Sequence, residues 1–424
     1  MEDSIVRFDM KKPPRKCMWF LKPVAWLLCI PGVIAHRTKI EKIGIKGLKP
    51  PYLLLGNHNA FFDMKVSGWA TFPKFGNYVV AIDGFIGREW LLRSIGCICK
   101  RKFTNDLYLI KHLRRVIDQK GIAVIYPEAR YSLCGTTAPL PGGLGRLCKM
   151  LNVPVVTLIC HGHHINHPFW NTRRERGVKP TEATMELLLR PEDLQKMSEA
   201  EINRLLVKQF QYDDFQWQKD RGIRVADPNR AQGLEKILYQ CPCCRTEYRM
   251  RSEGVELFCD ACGKRWRMSE LGELSAENGE TEFSHIPDWY EWERDNVRHE
   301  VESGTYSTGL LPVHVKSLPN AKRFIDLGHG TMIHDENGFT VRVERENGQT
   351  QEMRKTVPSL YSCHIEYEYL FRYGDCVDLN TLDDTWYVFP EEVPFSVTKM
   401  ALATEELYYR YRREIGKPCE DGLA

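Results

Sequence analysis

No stretch of this 424-residue chain holds the about 20 consecutive apolar residues that a bilayer-spanning helix requires. The chain also lacks a charge bias: 59 lysines and arginines against 56 aspartates and glutamates leave a formal net charge of +3. Without overall basic character, nucleic acid is not an expected partner. A disulfide framework is missing too, because the 15 cysteines are an odd number, scattered singly apart from one tight cluster. That pattern argues for reduced thiols and a cytoplasmic location. The length leaves room for two or three domains, each able to bury a core.

Residues 1–37 join a basic run, Lys11-Lys12-Pro13-Pro14-Arg15-Lys16, to a Trp- and Leu-rich stretch from Met18 to Ala35 that Lys22-Pro23 and Pro31 interrupt. A basic run ahead of an apolar core also fits a signal peptide, but Val33-Ile34-Ala35 is not a small-x-small cleavage site. The expectation is a peripheral membrane-associating segment on the cytoplasmic face, with Trp19, Phe20, Trp26 and Leu27 in the lipid interface and the basic run on anionic headgroups. A plain core helix is the other reading.

The chemistry is expected at Leu53-Leu54-Leu55-Gly56-Asn57-His58-Asn59-Ala60-Phe61-Phe62-Asp63. Tyr52 to Leu55 is a short apolar run closed by Gly56, which predicts a strand buried on both faces and feeding a turn. A helix is predicted from near Asn59. On one regular helix His58 and Asp63 would point about 140° apart, so they meet only if His58 precedes the first turn, with Asn57 or Asn59 as cap. A carboxylate bonded to one imidazole nitrogen fixes the tautomer and makes the other nitrogen a better base for a hydroxyl nucleophile.

From Ile40 to about Arg224, short apolar runs alternate with helical periodicity. Strands are predicted at Tyr78–Ile82, Cys97–Cys99, Ile122–Tyr126, Val155–Ile159 and Met185–Leu189, and helices at Phe85–Ile95, Thr104–Gln119 and Leu144–Leu151. The fold class is an α/β layered sheet with helices, over residues 38–230, whose functional residues gather at strand ends. A second such end, Ile125-Tyr126-Pro127-Glu128-Ala129-Arg130-Tyr131-Ser132, offers an acid, an arginine and two hydroxyls. Arginine with serine suits phosphate.

Together these residues resemble the glycerolipid acyltransferases, the family that includes 1-acyl-glycerol-3-phosphate acyltransferase, over roughly residues 40 to 190. The family's N-H-x4-D is matched by Asn57, His58 and Asp63. Its F-P-E-G-T-R-S reads Tyr126-Pro127-Glu128-Ala129-Arg130-Tyr131-Ser132, with Ala129 for the glycine, the arginine displaced by one place and Tyr131 where it would stand. G-x-I-F-I-D-R is loosely represented by Gly96-Cys97-Ile98-Cys99-Lys100-Arg101-Lys102, and V-P-V-V-P-V by Val153-Pro154-Val155-Val156-Thr157-Leu158. The resemblance implies acyl transfer from a thioester carrier, acyl-CoA or acyl-carrier protein, to a hydroxyl of a lysophospholipid or glycerol-phosphate acceptor. His58 would take the acceptor's proton and Asp63 would hold the imidazolium. Glu128 would position the acceptor, with Arg130, Ser132, Lys102 and Arg101 around its phosphate.

Further on, Cys241-Pro242-Cys243-Cys244 and Cys259-Asp260-Ala261-Cys262 form two C-x2-C knuckles separated by 14 residues. Four thiolates, Cys241, Cys244, Cys259 and Cys262, predict a structural zinc in a ribbon over residues 236–270. Tyr248, Phe258 and Trp266 supply the small core such a module needs. Residues 271–304 read as a linker helix region carrying Trp289, Trp292 and Val301. Residues 305–416 read as a separate small antiparallel β module, with hairpin turns at Asn337-Gly338 and Asn347-Gly348, a strand at Thr385–Phe389 and a C-terminal helix over Ser396–Arg413, pleckstrin-homology-like in outline. A non-catalytic lipid-binding or scaffold protein on a degenerate acyltransferase core is the alternative function.

Overall fold

A computed structural model of the chain describes residues 6–171, 175–344 and 348–417. The chain opens with helix α1 (Lys22–Ala35) and then builds β1 (Lys39–Ile43), β2 (Tyr52–Gly56), α2 (Phe62–Ala70), β3 (Asn77–Ala81), α3 (Glu89–Ser94), β4 (Ile98–Lys100), α4 (Leu107–Asp118), β5 (Ile122–Ile125), α5 (Leu144–Leu151), β6 (Val155–His161), α6 (His163–Asn166) and β7 (Glu182–Leu189). Three helices follow: α7 (Pro191–Lys196), α8 (Glu199–Gln209) and α9 (Asp214–Asp220). The strands form one sheet in the order β1-β7-β6-β2-β5-β3-β4, parallel at every pairing except β6 with β7. β2 lies at the centre, with Leu54 opposite Val124 of β5 and Val156 of β6, so all five of its residues are buried. An apolar run with no polar alternation suits a strand covered on both faces.

Helix boundaries differ from the sequence prediction where side chains or backbone intervene. The predicted Phe85–Ile95 helix is divided by Gly87 at φ 68°, which leaves a 3-10 turn at Ile82–Phe85 ahead of α3. α4 starts at Leu107 rather than Thr104, because Asp106 caps it by accepting the N–H of Tyr108. α2 starts at Phe62 rather than near Asn59, since the amides of Asn59 and Ala60 are taken by the Asp63 carboxylate.

A four-stranded antiparallel sheet follows, of β8 (Met250–Glu253), β9 (Glu256–Cys259), β10 (Arg265–Met268) and β11 (Leu274–Ala276). Next come α10 (Ile286–Glu302) and the strands β12 (Leu311–Ser317), β13 (Ile325–Asp335), β14 (Gly338–Glu344), β15 (Thr350–Lys355), β16 (His364–Glu366), β17 (Cys376–Asn380) and β18 (Thr385–Pro390), then α11 (Val397–Glu414). These seven strands make one antiparallel sheet, order β15-β14-β13-β12-β18-β17-β16. The Asn337-Gly338 turn joins β13 to β14, and a Cβ on Gly338 would stand 2.1 Å from the Lys355 carbonyl oxygen. The turn predicted at Asn347-Gly348 falls on a residue outside those described.

The C-terminal sheet does not stand apart as the sequence led us to expect. One hydrophobic core runs from Leu133, Phe169 and Trp170 of the α/β layer through Cys241, Cys259 and Trp266 to Trp289 of α10, Val313 of β12 and Leu402 of α11. Polar bolts cross the same seam. Arg101, wholly buried, donates to the carbonyls of Leu318, Pro319 and Asp383 and to Thr385 Oγ1.

Candidate active site

The C-terminal ends of β2, β5 and β6 meet at one point, where ligands of parallel sheets gather. Asn57 fixes the first of these ends. Its side chain donates to the Cys160 carbonyl at 2.9 Å and accepts the Cys160 N–H at 2.8 Å, extending the β2–β6 ladder past the strand. His58 therefore leaves the sheet before any helical turn begins, and its Nδ1 reaches Asp63 Oδ2 at 3.2 Å. Asp63 is fully buried and also accepts the amides of Asn59 at 2.6 Å and Ala60 at 2.9 Å. Burial alone would raise its pKa, but hydrogen bonds from His163 and His58 outweigh that and hold it down at about 2. The carboxylate is thus a fixed negative charge beside His58.

His58 lies between two phenols, stacked on Tyr126 at 4.4 Å and tilted against Tyr131 at 4.4 Å. Tyr126 needs Gly56, because a Cβ there would come within 2.8 Å of its ring. The Tyr126 hydroxyl pairs with Ser67, which also pairs with Tyr78, each at 3.0 Å.

The loop after β5 distributes its groups differently from the family's pattern. Glu128 is buried and accepts the backbone N–H groups of His58 at 3.2 Å and Ala138 at 3.0 Å. Burial pushes its carboxyl up to about 8, the two amides offsetting only part of that. Glu128 therefore ties the β5 loop to the β2 loop. Ala129 stands at φ 57°, in the left-handed region that favours the family's glycine. Beyond it the chain turns so that Tyr131 faces His58 while Arg130 is buried and donates to Glu405 Oε1 of α11 at 2.6 Å. Glu405 also accepts from Ser362 and from Arg294 of α10.

Four of the residues predicted to bind acceptor are thus turned to other uses. Arg130 is spent on Glu405 and Arg101 on the carbonyls of the C-terminal sheet, because each lies in the seam where a buried charge must be paired. Ser132, fully buried, closes a turn by accepting the Gly135 N–H and donating to the Thr136 carbonyl. Lys102 Nζ lies 3.8 Å from Asp378 of β17.

The site also holds a residue that the sequence reading missed. His163, the first residue of α6 and the second past β6, is fully buried and its Nδ1 lies 2.5 Å from Asp63 Oδ1. Its signal was the His161-Gly162-His163-His164 run just beyond the fourth block, at the end of the strand that pairs with β2. Tyr212, whose hydroxyl reaches Asn59 Oδ1 at 2.8 Å and Glu128 Oε2 at 3.4 Å, gave no such signal.

Away from this site, the four knuckle cysteines converge. Their sulfurs all lie within 4.8 Å of one another, with Cys241 to Cys262 at 3.8 Å and Cys244 to Cys259 at 3.7 Å. Tetrahedral ligands at about 2.3 Å from one ion would be about 3.8 Å apart, so the set fits a structural metal. Trp266 of β10 is buried edge-on against Trp289 of α10 at 5.0 Å.

A protein-family model described as acyltransferase matches residues 35–161, a span that holds His58, Asp63 and Glu128 and ends two residues before His163. The chain therefore carries an acyltransferase-family domain, ahead of a four-cysteine cluster and a seven-stranded antiparallel sheet with a trailing helix. Among solved structures it is similar to the 1-acyl-sn-glycerophosphate (LPA) acyltransferase PlsC from Thermotoga maritima, with a TM-score of 0.33 and 12% identity over 42% of this chain and 74% of that one. No curated protein sequence matches the chain.

Proposed function

We propose that the protein is an O-acyltransferase that moves a fatty acyl group from acyl-CoA or acyl-carrier protein to a hydroxyl of a lysolipid or glycerol-phosphate acceptor. The observation that carries this reading is the His58–Asp63 pair, built on a strand end and held by four N–H donors to the carboxylate. In the proposed step, His58 Nε2 takes the proton of the acceptor hydroxyl while Asp63 holds the Nδ1–H. The oxygen attacks the thioester carbonyl, and the tetrahedral intermediate collapses with loss of the thiolate, which collects the proton from His58. No acyl-enzyme is needed. Cys97, Cys99 and Cys134 are buried and their thiols are raised by burial, to about 12 for Cys97 and Cys134, which keeps them poor nucleophiles. Purified protein incubated with palmitoyl-CoA and a panel of lysolipids, with products read by mass spectrometry, tests the reading. No acylated product from any acceptor and either carrier would leave the alternative of a non-catalytic lipid-binding core.

The commitments of Arg130 and Arg101 favour an acceptor headgroup less charged than a phosphate monoester. Arg130→Ala is expected to lower turnover with lysophosphatidic acid and with lysophosphatidylcholine by the same factor. It should also lower stability by about 3–5 kcal/mol, because Glu405 would be left buried beside Arg294 with one partner gone. Acceptor profiles and urea denaturation check this. A selective loss of lysophosphatidic acid activity would return Arg130 to the phosphate.

Membrane docking belongs to the same proposal. Among the described residues no helix is long and apolar enough to cross a membrane. α1 buries Ala25, Cys29 and Val33 on α2 yet leaves Leu27 and Leu28 outside, and the 3-10 turn before it exposes Trp19 and Phe20, with Trp19 82% and Leu27 71% exposed. Trp26, expected in the lipid interface, packs edge-on against Phe72 at 5.0 Å. Phe61, three residues after His58, is exposed as well. We assign that face to a bilayer surface, with Lys11, Lys12, Arg15 and Lys16, all exposed, on anionic headgroups. Trp19→Ser with Leu27→Ser is expected to cut sedimentation with anionic vesicles at least about tenfold, at about 1.5–3 kcal/mol per apolar side chain removed. Vesicle binding equal to wild type would move the anchor elsewhere. The C-terminal sheet, pleckstrin-homology-like in having seven antiparallel strands and a closing helix, is the next surface to test.

A further inference from the structure

Asp63 serves two imidazoles, and the second is the closer. His163 Nδ1 lies 2.5 Å from Oδ1, whereas His58 Nδ1 lies 3.2 Å from Oδ2. Resting on the acyl-transfer reading, we infer that His163 is a positioning residue: its Nδ1–H pins one oxygen of Asp63 so that the other stays turned to His58 while the proton moves.

The distribution of donors around the carboxylate carries the argument. Oδ2 receives His58 and the amides of Asn59 and Ala60, all from the β2–α2 turn, while Oδ1 receives His163 from just past the end of β6. Remove His163, and Oδ1 becomes a buried acceptor that loses this donor. A carboxylate in that state gains by rotating Oδ1 toward the remaining N–H groups, and the His58 bond is the longest and the first to be lost. His163 is itself locked: no part of it is exposed, and its ring lies edge-on to Phe62 at 4.7 Å. Its Nε2 has no partner among the described residues, so the donor the ring uses is Nδ1, aimed at Asp63. Cys160 Sγ lies within 4.8 Å of a carboxylate oxygen of Asp63 and a ring nitrogen of His163, and the 2.5 Å hydrogen bond already accounts for the close approach of that oxygen and nitrogen.

Other titratable groups face the carboxylate from each packed element. Cys160 comes from β6, Tyr126, Glu128 and Tyr131 from the loop after β5, and Tyr212 from the segment ahead of α9. The hydrogen bonds to Asp63 come from His58, His163 and the two amides, so His163 is the side chain besides His58 whose removal changes the orientation of the acid.

The test compares His163→Leu, which keeps the volume and loses the donor, with His163→Asn, whose side-chain amide returns an N–H near the Nδ1 position. Both are made in the full chain and assayed with palmitoyl-CoA and a lysolipid that wild type accepts. His163→Leu is expected to lower kcat by about 10- to 100-fold with KM within about twofold. His163→Asn should recover to within about fivefold of wild type. A readout free of turnover is the ¹⁵N-histidine spectrum, in which the Nδ1–H signal of His58 should shift in the Leu variant and return in the Asn variant. If wild type acylates nothing but these signals behave so, the acyl-transfer reading falls and the positioning role stands. A folded Leu variant with wild-type kcat and an unmoved His58 signal overturns the inference, as does an Asn variant no better than Leu.

Discussion

His58→Ala is expected to reduce acyl transfer by about 10²- to 10⁴-fold, the range that a positioned general base supplies, with folding and metal content unchanged. The side chain can be removed cheaply because it sits at a strand end and is 22% exposed, while the backbone N–H that binds Glu128 remains. Asp63→Asn is expected to be equally severe and to cost stability as well. The carboxylate accepts four N–H groups, two on imidazoles and two on the main chain. An amide offers one oxygen, so whichever way it turns, its NH₂ is forced against a donor, either His163 or the Oδ2 group of three. The wrong tautomer of His58 follows, and loss of the correct tautomer in an analogous acid–histidine pair costs about 10⁴-fold. Steady-state kinetics and thermal unfolding of both variants check this. Turnover near wild type in either one removes the assignment of the base.

The central sheet was legible because buried parallel strands leave little choice of residue. Leu53 to Leu55 and Ile122 to Ile125 are continuous apolar runs, Val155 to Ile159 is broken only by Thr157, and each lies in the core. β1 was missed for the opposite reason. Lys39-Ile40-Glu41-Lys42-Ile43 is an edge strand, mostly exposed, whose pairing to β7 is parallel and closes over more than a hundred residues, so nothing in its composition marks it. The H-x4-D pair was readable because its geometry is local, a turn and the first residues of a helix. The fates of Arg101 and Arg130 were not, since a guanidinium suits a phosphate, a buried carboxylate or a set of backbone carbonyls. Which of these it meets depends on Thr385 and Glu405, 284 and 275 residues away. His163 fell between the cases: 100 residues from Asp63, but just past the end of a predicted strand that the structure pairs with β2.

Removing the metal is expected to reach the acyl-transfer site. We propose that the four-cysteine cluster holds one zinc, and metal analysis of the purified chain should find about one per molecule. The effect is expected to pass beyond the ribbon, because Cys241 and Cys259 belong to the same buried cluster as Trp289 and Val297 of α10, and α10 carries Arg294. Arg294 shares Glu405 with Arg130, and Arg130 neighbours Tyr131, which packs on His58. Gln240, next to the first ligand, is also tied to α10, its N–H donating to Glu293 and its carbonyl accepting from Trp289. A ribbon that loses its ion thus loosens α10, then the Arg294–Glu405–Arg130 chain, then the loop that seats the base. Structural zinc contributes directly to folding, so Cys241→Ser or Cys262→Ser should lose the metal and lower the thermal midpoint of the whole chain in one transition. Acyl transfer should fall by about tenfold or more, with the larger loss in kcat, since the disturbed groups orient His58. Hydrogen exchange should rise in α10 and in residues 126–134 together. Zinc-free protein with wild-type kcat and protected amides in those residues would show that the two sites share a core but no coupling.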